Sequence, residues 1–188
     1  QLNSNRPASK GPSLTLGDGV YMAVGVPLSL AAVGDEQTIR YIGTNRTATT
    51  QIGSLQGPTT AGTWNTKIID VNDGAADVDL LVEGNINIYP TNAISRIRKE
   101  GAGTLKFMGN ASLFRETVIV RAGRLLIGSN VPANGGNSVL GVCTNAVVIG
   151  DQGTQADDTP SLLFDGAPNS AFIFERGPAM WTENGISV

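Results

Sequence analysis

The residues best placed to do chemistry are carboxylates. Asp70, Asp73, Asp77 and Asp79 fall within the ten residues DVNDGAADVD, and oxygen ligands gathered at a glycine turn are what a calcium ion takes. Their spacing fits neither the twelve-residue calcium loop nor the Gly-Gly-x-Gly-x-Asp nonapeptide. A solvated turn is the plainer expectation, and these four stand as the calcium candidates. A second group, Asp79 and Glu83 with Arg96 and Lys99, would suit a polysaccharide-cleaving face if neighbouring strands brought it together. Glycoside hydrolysis needs only two carboxylates at a suitable separation, and a chain with 16 acidic residues supplies such pairs by chance. No enzyme is expected.

Other chemistries are excluded by composition. The chain has no histidine, which removes Ser-His-Asp and Cys-His sites together with the commonest metal ligand. Cys143 is the single cysteine, so neither an internal disulfide nor a cysteine-rich zinc site can form; among small apolar neighbours it reads as a buried structural thiol. Gly101-x-Gly103 lacks a third glycine and a following helix, unlike a dinucleotide loop. RIRKE at Arg96–Glu100 alternates with Ile97 and reads as the wet face of a strand. Charged residues make up 15% of the chain and the net charge is −3, so there is no basic footprint for nucleic acid. No apolar run approaches the length of a membrane helix. The sequence calls for no cofactor, no nucleic acid and no membrane insertion.

Positioning any of these groups falls to short strands. The 24 glycines imply many tight turns, and no stretch of a dozen residues carries a 3.6-residue apolar period. Alternating or apolar runs of strand length recur instead, among them Thr38–Ile42, Thr66–Val71, Val78–Glu83, Ile94–Lys99, Thr104–Met108, Arg124–Ile127, Ala146–Ile149, Ser161–Phe164 and Ala171–Phe174. Leu28–Ala32 is another. The pattern predicts an all-β chain, with residues 1–11 as an exposed arm that could serve as an assembly strand and residues 12–188 as one domain. A right-handed parallel β-helix (β-solenoid) is the expected architecture, with a β-sandwich as the alternative.

Self-similarity favours the β-helix. GAGTLKF at Gly101–Phe107 and RAGRLLI at Arg121–Ile127 share one frame. Stacked one above the other, they would place Leu105 on Leu125 and Phe107 on Ile127 in one interior column, leaving Thr104, Lys106 and Arg124 outside. Leu126 should also face out, so the alternation slips there. Val118, Val147 and Ile149 complete the expected core.

Ile97–Gly153 resembles the autotransporter-associated β-strand repeat. Lys99, Gly101, Gly103, Thr104 and Leu105 match its Lys-x-Gly-x-Gly-Thr-Leu phrase. Thr117, Val118, Ala122, Gly123, Leu125 and Gly128 match its Thr-x-Val-x-x-Gly-x-Leu-x-Leu-Gly strands, and Leu140, Gly141, Val147 and Ile149 its closing turn and strand. The loop Asn110–Glu116 departs from the family pattern. The resemblance implies a parallel β-helix in a secreted or surface-exposed passenger.

The expected function is therefore structural: a segment of an extracellular or outer-cell-surface fibre whose partner is itself, through head-to-tail stacking or strand exchange. Its last residues, ENGISV, read as the start of another strand, as in a piece of a longer passenger or a unit capped by something else. A carbohydrate-binding adhesin or tailspike-like module, with Trp64 or Trp181 stacked on surface glycans, is the alternative, and a polysaccharide-acting enzyme comes third.

Overall fold

The computed structural model describes residues 10–22, 36–51, 54–56, 64–89, 94–109, 112, 117–131, 138–141, 146–165, 178–182 and 185–187. All regular structure among them is β. The first sheet contains β1 (Lys10–Leu16), β3 (Glu36–Tyr41), β6 (Trp64–Val71), β9 (Ile94–Glu100), β11 (Val118–Val120), β13 (Val147–Ile149), β15 (Pro178–Thr182) and β16 (Gly185–Ser187), in that order. The second contains β2 (Tyr21–Met22), β4 (Ala48–Thr50), β7 (Leu80–Val82), β10 (Thr104–Phe107), β12 (Arg124–Ile127) and β14 (Ser161–Phe164). β5 (Ser54–Gln56) and β8 (Asn87–Tyr89) form a small third sheet.

The chain visits the first and second sheets in alternation, and each strand pairs in parallel with the one laid down a circuit earlier. Among the described strands only β15 and β16 pair antiparallel, beside an isolated antiparallel bridge between Ser112 and Ser138. This is not the antiparallel hairpin pairing of the alternative sandwich. Val, Ile, Leu and Thr dominate the strands because one face of each is buried on its counterparts above and below.

Leu105 pairs Leu125 and Phe107 pairs Ile127. All four are fully buried. The columns extend beyond them: Leu80, Leu105, Leu125 and Leu162 are successive partners, as are Val82, Phe107, Ile127 and Phe164. Val118 and Val147 are buried in the same core, with Ile149 half-buried against it. Residues of both main sheets share this one cluster, so the sheets face each other across it.

Each repeated phrase begins at a corner, though not with the same bend: the positive φ falls on Gly101 (73°), ahead of Ala102-Gly103, in one and on Gly123 (63°), the glycine of Ala122-Gly123, in the other, a region open to glycine at little cost. A Cβ on Gly123 would lie 2.5 Å from the carbonyl oxygens of Ala102 and Gly101. The corners stack as closely as the strands do.

Several expectations are corrected. Thr104 is buried rather than outside, and Leu126 and Lys106 are half-buried; Arg124 is exposed, as expected. β1 begins at Lys10, inside the boundary drawn for the arm. Five strands carry no apolar run long enough to announce them: β2, β4, β5, β15 and β16. Leu28–Ala32, Ala171–Phe174, Cys143 and residues 1–9 lie outside the described residues. So does most of the loop Asn110–Glu116, of which Ser112 bridges Ser138 and accepts a hydrogen bond from the Ile86 amide. Among the described residues no helix is long and apolar enough to cross a membrane.

Candidate functional site

On the outer face of the first sheet the strand pairing builds a groove of about 410 Å³. Thr38, Ile68 and Arg98 are successive partners on β3, β6 and β9, and Arg40, Asp70 and Glu100 are the next such set. Parallel strands lie about 4.8 Å apart, so this register sets side chains of neighbouring circuits within reach of one another. Thr38 and Ile68 line the groove together with Ser13 from β1. Glu36, Arg40, Arg98, Glu100 and Arg121 complete it.

The charges are linked along the stack. Arg98 donates from Nη2 to Glu36 (3.1 Å) and from Nε to Glu100 (2.6 Å). Glu100 also accepts from Arg121 Nη1 at 2.9 Å. Arg121 in turn grips Asp151 through Nε and Nη2, both at 2.8 Å. Burial works to raise the Asp151 pKa, but the Arg121 hydrogen bonds and a backbone N–H outweigh it and hold the carboxyl below its usual range. Among the described residues Arg40 gives only its Nε, to Asp70 at 2.8 Å, and its side chain is 53% exposed. Partly exposed pairs of this kind contribute no more than about 1 kcal/mol each. Glu36 and Glu100 are both held by Arg98.

The aspartate candidates are dispersed. Asp70 pairs with Arg40, and Asp73 lies 3.4 Å from Arg124. Asp77 is exposed. Asp79 is fully buried, and its two oxygens accept the backbone N–H groups of Gly74 (2.9 Å) and Thr104 (2.8 Å). A carboxylate facing two amide hydrogens is turned away from any cation. Among the described residues no group of three or more His, Cys, Asp or Glu is gathered for a metal. Asp79→Asn is expected to cost about 2 kcal/mol, because its NH₂ would point at one of those donors and leave it buried without an acceptor; the urea unfolding midpoint measures it.

The imagined cleavage face is likewise not assembled. Asp79 and Lys99 are buried, Glu83 is exposed just past β7, and Arg96 lies on β9 in the other sheet. Lys99, expected on a wet strand face, points inward. Its ammonium donates to the carbonyls of Glu100 (2.8 Å), Gly101 (2.6 Å) and Ala122 (3.0 Å), tying one corner to the next. Lys67 is buried too, donating to Gln37. Side-chain positions of Trp64 and Trp181 lie outside what is described.

One polar cluster escaped the sequence reading. Asp18 Oδ1 accepts the N–H groups of Thr44, Asn45 and Arg46, and the Tyr41 hydroxyl. These bonds, that from the Asn45 amide foremost, hold its carboxyl down at about 2. Its only signal is the Gly-Asp-Gly turn after β1, which pins one corner upon the next. Comparisons with family models, curated proteins and solved structures find no match to this chain.

Proposed function

We propose that the chain is a structural segment of a secreted or cell-surface fibre, folded as a right-handed parallel β-helix of the autotransporter-repeat kind and associating with copies of itself. The observation that carries this is the continuity of the apolar columns, buried through β12 and opening to solvent at Phe164 on β14. Apolar partners follow one another in register from β7 through β10 and β12 to β14, so the protein is built by repetition of one layer. Layers of this kind lengthen an object rather than enclose a reaction centre.

The two ends of the first sheet differ from its middle. The sequence of β1 opens with Lys10, Gly11 and Pro12, and its register with β3 shifts between Lys10 and Ser13. Lysine, proline and a bulge are devices that blunt an edge against further pairing. At the other end β16 turns back antiparallel on β15. The second sheet ends at β2, where Val20 and Tyr21 are exposed, and at β14, where Leu163 and Phe164 are exposed. Self-association is therefore assigned to the two ends of the second sheet, β2 of one copy against β14 of the next. Negative-stain electron microscopy of purified protein should show oligomers or filaments that Tyr21→Lys disperses. Deleting residues 1–9, which leaves β1 whole, tests the arm separately. A monodisperse monomer at all concentrations would sink the proposal.

A further inference from the structure

We propose that a second copy docks by laying its β1 and β2 on β13 and β14, and that β15 and β16 are an internal stand-in which it must displace. This rests on the self-association proposed above and adds its register and its gate. Two columns of register partners run the length of the stack. One passes from Leu14 through Ile39, Ile69, Lys99 and Val120 to Ile149. The other passes from Met22 through Thr50, Val82, Phe107 and Ile127 to Phe164. Both begin on β1 and β2 and reach β13 and β14.

A copy placed one layer beyond β13 and β14 therefore continues both columns at once. Its Leu14 stands over Ile149, its Met22 over Phe164, and its Tyr21 over Leu163 on the outer face. Four of the six large apolar side chains exposed among the described residues lie at these two ends, Val20 and Tyr21 at β2 and Leu163 and Phe164 on β14. Docking covers all four, and removing such surface from water is what drives association.

The first sheet already holds something there. β15 pairs in parallel with β13, its Met180 at the register position over Ile149, and β16 pairs on β15. Among the described strands nothing pairs with β14 on that side. Because β1 and β2 are joined by residues 17–20 alone, a copy whose β2 meets β14 brings its β1 to the layer of β15. One strand edge accepts one neighbour, so β15 must leave. The sequence of β15 imitates the strand it excludes: Gly177-Pro178-Ala179-Met180 matches Gly11-Pro12-Ser13-Leu14, and column counting sets Met180 and Leu14 at the same place over Ile149. Pro178 begins a strand that pairs with β13, so Pro12 is no bar to β1 doing the same. The irregularity of β1 spares Ser13–Leu16, whose register with β3 is unbroken.

Sedimentation velocity across a concentration series tests the gate, with the full chain carrying Cys143→Ser as the parent. Val148→Cys with Ala179→Cys joins register partners of β13 and β15, on strands about 4.8 Å apart, a spacing a disulfide can span. Oxidised, this lock should abolish assembly, and reduction should restore it. Deleting residues 178–188 should lower the concentration needed for assembly about tenfold or more, since the docking edge is then always open; circular dichroism checks its fold, and the lock decides alone if it unfolds. For the register, Tyr21→Cys with Leu163→Cys should cross-link copies on oxidation, and Tyr21→Cys with Leu162→Cys, on the opposite face, should not. Monomers in every form would overturn the association itself. An oxidised lock that assembles like the parent would overturn the gate and leave the association standing, and equal cross-linking at Leu162 and Leu163 would overturn the register.

Discussion

Gly123→Ala should lower the unfolding free energy by about 3 kcal/mol or more, enough to consume much of the stability of a chain this size. Two costs combine. At φ 63° an L side chain is held in the left-handed region, worth about 1 kcal/mol. The added Cβ also meets three backbone atoms of the preceding corner, at 2.5 to 2.6 Å. Carbonyls of a stacked corner cannot swing aside as a long side chain would, so the layers must separate. Gly101→Ala should behave alike, since its Cβ would stand 2.3 Å from the Val71 carbonyl oxygen. Gly17→Ala is the contrast: nothing lies within 4 Å of the added atom, and a change within about 0.5 kcal/mol is expected. Urea unfolding followed by circular dichroism separates the cases, and equal losses at Gly17 and Gly123 would refute this account of the corners.

Those corners were legible because they repeat. Ala-Gly before an alternating strand occurs twice, and the partners Leu105 and Leu125 follow from counting. Arg124–Ile127 and Ser161–Phe164 emerge as strands with the expected bounds, since alternation and flanking glycine or proline agree there. What charge concealed, parity could have found. Lys99 lies two residues after Ile97 and Lys67 two before Ile69, so the period of a strand puts both amines on the buried face. A lysine is ordinarily read as solvated, and that habit overrode the pattern. The strand β4, Ala48–Thr50, and the strand β5, Ser54–Gln56, lack the apolar signal altogether; their pairing comes from the circuits on either side. The groove was hidden for a related reason. Arg40, Arg98 and Arg121 lie far apart in sequence, and only the register of three circuits brings them to one face. Nothing local in the chain encodes that proximity.

The buried amines give the protein an unusual pH profile. Desolvation lowers Lys67 from 10.5 to about 7, and lowers Lys99 to about 8 against the opposing charges of Asp70, Asp79 and Glu100. In the unfolded chain both would titrate near 10.4. Between about pH 7 and pH 10 the unfolded state therefore binds protons that the folded state has released, and stability must rise with pH across that window. A gain of several kcal/mol is expected. Tyr41 reverses the trend above it. Burial and its hydrogen bond to Asp18 raise its hydroxyl from 10 to about 12, so stability falls once the unfolded chain loses that proton above about pH 10. At the acid end the depressed Asp18 contributes above about pH 4, and its contribution disappears as pH falls toward 2. Maximum stability thus belongs near pH 10, not near neutrality. Lys67→Met should raise stability at pH 7 and flatten the rise, because it removes an amine whose charged form is costly to bury. Lys99→Met should do the opposite at pH 7, costing about 3 kcal/mol, because three carbonyls of adjacent corners lose their common donor. Thermal melts of the wild type and both variants from pH 5 to pH 11 decide the matter. A wild-type midpoint that is flat or falling between pH 7 and pH 10 would show that these amines are solvated, and would remove Lys99 from its place between the corners.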